Sequence, residues 1–342
     1  MDSSAGYSVA IVGATGAVGE ALLDILQERK FPVSKLYLLA SERSAGKRLQ
    51  FHGKSVQVQR LDELDFSQVQ IGLFSAGGEL SAEYAPKAGA AGCVVIDNTS
   101  HFRYDADIPL VVPEVNPQCV ADFKPRNIIA NPNCSTIQML VALKPIQDAV
   151  GITRINVATY QAVSGAGASG INELAGQTAN LLNAKPIESS VMPVQIAFNA
   201  IPQIGAFQEN GYTLEEMKMV WETQKIFGDE TITVNPTCVR IPAFYGHSEA
   251  VHVETVEPIA PAEVEQLLAK APGVKLMKGE KYPTAVTESA GTDPVFVGRI
   301  RKDISHDNGI NMWVVSDNVR KGAALNSVQI AELLVEQNLI AN

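Results

Sequence analysis

Cationic side chains are the scarcer charge in this chain. Lys and Arg number 27 against 37 Asp and Glu, a formal net charge of −10 over 342 residues. Nucleic acids and anionic membranes are bound through a surplus of cations, so neither is an expected partner. A phosphate-bearing ligand has to be met by a few locally placed cations. Cysteine is sparse as well. Cys93, Cys119, Cys134 and Cys238 show no CxxC pairing and no metal-ligand spacing, which points away from a disulfide framework and from a bound metal. Long apolar runs are missing: the longest uncharged stretch, 189–208, contains Pro193, Asn199 and Pro202 and does not suit a membrane helix. The first residues lack a basic segment followed by an apolar run, so no signal peptide is expected. Repeats and low-complexity segments are absent too. Together these features suit a soluble protein of the reducing cytoplasm. At 46 % hydrophobic and 19 % charged residues the composition is globular, and the length suits about two domains.

The first third alternates short apolar runs with helical patterns. Strands are expected at 8–12, 36–40, 71–75, 94–97 and 128–130, and helices at 17–29 and 80–91. Such alternation predicts a parallel sheet covered on both faces. After Asn131-Pro132-Asn133 the pattern changes. A helix over 135–150 is followed by longer β-type runs at 155–163, 232–241, 251–256, 295–300 and 310–315. The last two flank a turn at 306–309 and suggest a hairpin. These runs predict an α+β second domain with a mainly antiparallel sheet. A final helix over 323–336 is able to pack back on the first domain. The expected domains are 1–131 plus 322–342, and 132–321.

Two glycine motifs stand out. Gly13-Ala14-Thr15-Gly16-Ala17-Val18-Gly19 follows the first strand and opens a helix. Small residues there let a backbone approach a pyrophosphate, and the helix start supplies N–H groups. This favours dinucleotide binding by Gly13, Thr15, Gly16, Ala17, Val18 and Gly19 over a ligand-free turn. At the second strand end, where an NAD-binding fold carries an acid for the ribose, the chain has Ser41, Glu42, Arg43 and Ser44. Hydroxyls and a cation suit a 2′-phosphate, so NADP (NADPH) is favoured, with Glu42 as the discordant residue. The second motif, Gly165-Ala166-Gly167-Ala168-Ser169-Gly170, matches GxGxxG literally. No short strand with a ribose partner follows it, because 186–203 is broken by prolines. It reads as a strand–helix turn, with or without an active site beside it.

Cys134 follows Asn131-Pro132-Asn133 and opens a strong helix. A helix start favours a thiolate, whereas Cys93, Cys119 and Cys238 read as packing. Spacing alone leaves Cys134 divided between catalysis and packing. Among the histidines, His247 in Gly246-His247-Ser248 lies between two β-runs, where a side chain is able to face a cleft, but spacing does not single it out.

With these residues assembled, the chain resembles the bacterial-type aspartate-semialdehyde dehydrogenase family. The resemblance rests on GATGAVG at 13–19, SHFR at 100–103, NPNCST at 131–136, YQAVSGAG at 160–167, EEMK at 215–218, CVRIP at 238–242 and GHSE at 246–249, in the family's order and across nearly the whole chain. It implies a Rossmann-like NADP-binding domain and a catalytic and dimerisation domain, as in the glyceraldehyde-3-phosphate dehydrogenase-like fold. It implies Cys134 as the nucleophile, His247 as general acid/base and Gln161 beside the substrate. It further implies Arg240 on the substrate carboxylate, Glu215 near the substrate, Arg103 and Lys218 on phosphate, and Ser164, Gly165 and Asn318 by the nicotinamide. The implied reaction is reversible, NADPH-dependent reductive dephosphorylation of L-4-aspartyl phosphate by a homodimer, in lysine, methionine, threonine and isoleucine synthesis. An N-acetyl-glutamyl-phosphate-type reductase would share the Cys/His chemistry. A non-catalytic NADP sensor would need only the glycine loop, and a thiol hydrolase would leave that loop unexplained.

Overall fold

The computed structural model describes residues 6–340; residues 1–5, part of the segment read above for a signal peptide, and 341–342 lie outside it. The chain forms two compact units, Met1–Pro132 with Ala323–Asn342, and Asn133–Gly322.

The first unit contains β1 (Tyr7–Val12), α1 (Ala17–Glu28), β2 (Val33–Ala40), β3 (Arg48–Phe51), β4 (Lys54–Arg60), β5 (Ile71–Phe74), α2 (Gly78–Ala90), β6 (Val94–Asp97) and β7 (Ile128–Ala130). The second contains α3 (Cys134–Val150), β8 (Ile152–Gln161), α4 (Gly167–Leu182), α5 (Leu214–Phe227), β9 (Thr233–Arg240), β10 (His247–Thr255), α6 (Pro261–Leu268), β11 (Val274–Leu276), β12 (Val295–Lys302) and β13 (Gly309–Ser316). The last helix, α7 (Leu325–Glu336), belongs to the first unit.

In the first unit seven strands run in the order β3-β4-β2-β1-β5-β6-β7, all neighbours parallel except β3 and β4. Strand β1 lies between β2 and β5, so the chain leaves it on opposite sides in turn. The crevice this creates at the carboxyl end of β1 is the usual ligand position of open α/β sheets, and the 13–19 loop occupies it. Val9, Ile11, Ile71, Leu73 and Ile96 are buried in the sheet, and α1 and α7 pack together beside it. The Asn326 amide in α7 donates to Val111 O (3.0 Å) and Asn131 Oδ1 (2.7 Å), which ties the C-terminal helix to the strand ends. The β3–β4 hairpin escapes the periodicity reading. Its strands are polar and mostly exposed, and its turn is made by His52 (φ 47°) and Gly53 (φ 72°).

The second unit carries a six-stranded sheet, β11-β12-β13-β10-β8-β9. The three central pairings are antiparallel, whereas β11–β12 and β8–β9 are parallel, so the sheet is mixed. Pro236 is accommodated because β9 is an edge strand, where a missing N–H costs no ladder bond. Helix α3 packs across β8, β10, β12 and β13. It is buried over most of its length, in keeping with Met139, Leu140, Leu143 and Ile146 at core spacing. Strand β10 begins at His247, earlier than the apolar run at 251 suggests, because Ser248 and Glu249 are strand residues without apolar character. The two-domain α/β plan read from the sequence is the one observed. Among the described residues no helix is long and apolar enough to cross a membrane.

Strand register arranges the polar core of this unit in rows. Gln161 on β8 faces Arg240 on β9, and His247 on β10 faces Ser316 on β13. Two residues further along, Glu249 faces Thr159, which faces Cys238. Glu249 is fully buried, and neither of its oxygens has a hydrogen-bond partner among the described residues. Burial therefore raises its carboxyl well above the carboxylate range, despite the Gln138 amide nearby, and the group stays protonated. An unfolded chain ionises this residue near pH 4.5 while the folded chain does not, so the residue lowers stability as pH rises, by up to about 1.4 kcal/mol per pH unit. Glu249→Gln removes this linkage. The urea stability of the variant should gain on the original chain between pH 5 and pH 8, and a gap that stays constant with pH would contradict the assignment.

Candidate active site

Each unit contributes one cluster of the residues singled out above. In the first unit, the end of β1, the start of α1 and the end of β2 enclose a cleft of about 550 Å³. Gly13, Thr15, Gly16, Ser41, Arg43 and Ser44 line it, and Thr15 Oγ1 donates to Ser44 Oγ at 3.2 Å. Gly16 is the N-cap of α1 and no side chain caps that helix, which suits an anion at its first turn. Gly19 is required by contact: a Cβ there would stand 2.2 Å from Gly13 O. Ala17 and Val18 lie in the first turn. The cleft thus fits a dinucleotide pyrophosphate. Arg60, at the end of β4, also lines it and was missed because the polar β4 was not recognised. Its guanidinium holds Asp62 at 2.6 Å and reaches Glu42 at 3.4 Å, so the acid that argued against a 2′-phosphate has a cationic neighbour of its own. Arg103 is buried in the loop after β6, and its Nη2 donates to Asn98 O at 3.0 Å.

In the second unit the start of α3 is the organising point. Asn133 is its N-cap, and the Asn133 Oδ1 accepts the N–H groups of Ser135 (3.0 Å) and Thr136 (3.3 Å). This cap places Cys134 in the first turn. Helix α5 holds the cap in turn. Glu222 Oε2 accepts the Asn133 N–H at 2.6 Å, and Glu215 Oε1 accepts from Asn133 Nδ2 at 2.8 Å. Lys218 Nζ donates to the other Glu215 oxygen at 2.9 Å, so the 215/218 pair is a largely buried one and not a solvated surface bridge. Burial alone would raise the Glu215 carboxyl, but Lys218, Asn133 and Arg240 outweigh it and hold it at about 2.

The Ala162 peptide joins two further residues. Its N–H donates to His247 Nδ1 at 3.1 Å, and its carbonyl accepts from Arg240 Nη1 at 2.7 Å. With Nδ1 as acceptor, the neutral ring carries its proton on Nε2. Burial and the Arg240 charge push His247 down to about 3, so the ring is neutral at physiological pH. His247 Nε2 has no hydrogen-bond partner among the described residues. Gly165 marks where these groups converge: a Cβ there would lie 2.7 Å from Arg240 Nη1 and 3.5 Å from His247 Nε2. Burial works against the Arg240 charge, and Glu215 and the Cys134 sulfur support it, which places Cys134 within electrostatic reach of the guanidinium.

Gln161 is buried next to the start of α3, its amide donating to Ser135 Oγ (2.9 Å) and Thr159 Oγ1 (3.3 Å). Ser164 and Asn318 bond each other (2.9 Å), and Asn318 Oδ1 accepts the Gly246 N–H (2.9 Å), bracing the turn that leads into His247. The other three cysteines are poor nucleophiles. Burial pushes the Cys93 thiol up to about 12, raises Cys238 further, and raises Cys119 as well. The chemistry on offer is therefore a single thiol at a helix start, a neutral imidazole N–H, a buried guanidinium and a carboxylate–ammonium pair. Glu222, Glu249 and the Ala162 backbone were not foreseen. Glu222 had a signal, since with Glu215, Met219 and Ile226 it falls on the buried face of α5 at helical spacing.

Known proteins match both units. A family model described as semialdehyde dehydrogenase, NAD binding domain, matches residues 8–123, and one described as semialdehyde dehydrogenase, dimerisation domain, matches 143–321. The aspartate-semialdehyde dehydrogenase of Shewanella violacea is 66 % identical over 96 % of this chain and 98 % of its own. The crystal structure of aspartate semialdehyde dehydrogenase II complexed with ASA from Vibrio cholerae is 68 % identical, superimposes with a TM-score of 0.97, and covers 97 % of this chain and 99 % of that one. The enzyme with NADP from Candida albicans, 26 % identical, gives a TM-score of 0.78 over 98 % of this chain and all of that one. The chain, an oxidoreductase whose His247 imidazole and Arg240 guanidinium meet at Gly165, belongs to the aspartate-semialdehyde dehydrogenase family.

Proposed function

We propose that the protein converts L-4-aspartyl phosphate to L-aspartate 4-semialdehyde, reversibly, through an acyl-thioester on Cys134 and with NADPH as reductant. The observation that carries this reading is Cys134 in the first turn of the capped α3, within electrostatic reach of an Arg240 guanidinium that meets His247 at Gly165. The Cys134 thiolate attacks the acyl carbon, the carbon–oxygen bond to phosphate breaks, and a thioester remains. When bound, the reduced nicotinamide supplies the hydride that reduces this thioester. The resulting tetrahedral oxyanion collapses, the carbon–sulfur bond breaks, and aldehyde and thiolate separate. His247 donates its Nε2–H toward the oxygen that gains charge in both steps, and the Ala162 N–H on Nδ1 keeps that tautomer in place.

Arg240 grips the substrate carboxylate, a task suited to a planar guanidinium fixed at one nitrogen by Ala162 O. Gln161 orients the substrate next to Cys134, and Glu215 answers its amino group. Lys218 and Arg103 are proposed phosphate ligands. Ser164, Gly165 and Asn318 are proposed to serve the nicotinamide, and the 13–19 loop the pyrophosphate. NADP over NAD is supported by Ser41, Arg43 and Ser44 in the cleft and by the hold of Arg60 on Glu42. The matched dimerisation domain supports a homodimer, and the composition supports a cytoplasmic enzyme of aspartate-derived amino-acid synthesis.

Two experiments test this reading. NADPH formation from aspartate semialdehyde and NADP should require inorganic phosphate and saturate with it. Cys134→Ala should abolish turnover while leaving NADPH binding intact. Phosphate-independent turnover, or an active Cys134→Ala variant, would overturn the reaction class. For the cofactor, Arg43→Leu should raise the KM for NADPH roughly 10- to 100-fold, the scale of one lost charge-assisted contact, and leave the KM for NADH unchanged. An equal change for both would remove Arg43 from the 2′-phosphate.

A further inference from the structure

Glu222 is fully buried on α5 and stands outside the set of groups that touch the substrate in the reading above. Its Oε2 accepts the backbone N–H of Asn133 at 2.6 Å, immediately before the nucleophile. Two turns earlier on the same helix, Glu215 takes the Asn133 side-chain amide, so one α5 face holds this cap residue by both backbone and side chain. Asn133 then spends its own Oδ1 on Ser135 and Thr136. On another side the Cys134 position is closed by Gly322, where a Cβ would stand 2.7 Å from the Cys134 Cβ. Cys134 thus has little room to adjust if its backbone shifts.

We propose that Glu222 is a positioning residue for the nucleophile: by accepting the Asn133 N–H it fixes the peptide from which α3 starts, and so sets where Cys134 meets the substrate. The proposal rests on Cys134 being the nucleophile. It goes beyond that reading in assigning the aim of the thiol to a carboxyl group on a different helix. An apolar group at 222 leaves the Asn133 N–H buried without its acceptor. The cap is then free to rotate toward another acceptor, and the thiol moves with it. Displacements of about 1 Å at a reacting atom reduce turnover on the order of 100-fold.

The test compares three variants of the full-length protein. Glu222→Gln keeps an acceptor oxygen in place, and its kcat should stay within about threefold of the unsubstituted enzyme. Glu222→Leu should lower kcat about 100-fold while the KM for NADPH changes less than twofold. Glu222→Asp keeps the carboxyl group but shortens its reach by one methylene, so it should fold and show an intermediate loss even if the leucine variant does not. Iodoacetamide labelling, read by peptide mass spectrometry, should slow at Cys134 in proportion to kcat and stay constant at Cys119, a pattern that general destabilisation would not give. A folded leucine or aspartate variant with both kcat and Cys134 labelling within threefold of the original overturns the proposal, as does a glutamine variant as impaired as leucine. An active Cys134→Ala enzyme instead refutes the underlying reading, so the two failures are distinguishable.

Discussion

The second unit is built around one hydrogen-bonded residue, Asn133. A helix start leaves backbone N–H groups without intrahelical acceptors, and here the start is buried, so each one must be answered within the protein. The Asn133 side chain answers two, and α5 answers the N–H of Asn133 itself through Glu222. Hydrogen bonds to charged groups contribute about 1.5–3 kcal/mol each, and an unpaired buried N–H costs about 1–3 kcal/mol, so the cap and the two glutamates stand or fall together. The thiol proposed as the nucleophile is the side chain of the next residue. Helix α1 presents the opposite case: its first turn has no side-chain cap, and that is where the proposed anionic cofactor would lie.

Charge placement follows from burial in the same way. Three ionisable groups of the second unit are buried out of solvent, and the protein resolves them differently. Glu215 stays ionised because Lys218, Asn133 and Arg240 compensate it. His247 stays neutral because burial and the Arg240 cation both oppose its protonation. Glu249, with no partner for either oxygen among the described residues, stays protonated. The outcome is an interior that holds the Arg240 cation beside one neutral N–H donor at His247 Nε2. The net charge of −10 is a property of the chain as a whole and does not report how these buried groups are paired. In the proposed reaction a thiolate and an acyl phosphate, both anionic, have to approach each other, and a fixed cation such as Arg240 would ease that approach.

Much of this was legible in the amino-acid order, for physical reasons that differ by element. The buried strands β1, β5, β6 and β7 are short apolar runs with no competing helical pattern, and they were read closely. The glycine loop and the NPNC segment were legible because their spacing reflects backbone constraints: Gly19 has no room for a Cβ, and Asn133 has to be a cap. The β3–β4 hairpin was not legible, because its strands are held by a turn and an edge pairing and bury little apolar surface. Strand β10 was started late because its first residues, His247, Ser248 and Glu249, are polar yet buried. Glu222 and Arg60 were missed for a related reason. A glutamate on a helical core face and an arginine ending a polar strand take their meaning from partners 89 and 18 residues away, and local periodicity does not report such distances.

The central claim is that the chemistry passes through one covalent bond, to the Cys134 sulfur at the capped start of α3. Incubating the protein with aspartate semialdehyde and NADP in the absence of phosphate should let the oxidised acyl group collect on the enzyme. Acid quenching, digestion and peptide mass spectrometry would then locate it. A single aspartyl adduct on the peptide containing Cys134, discharged when phosphate is added before the quench, is the predicted result. No adduct despite phosphate-dependent turnover, or an adduct on Cys93, Cys119 or Cys238, would contradict it.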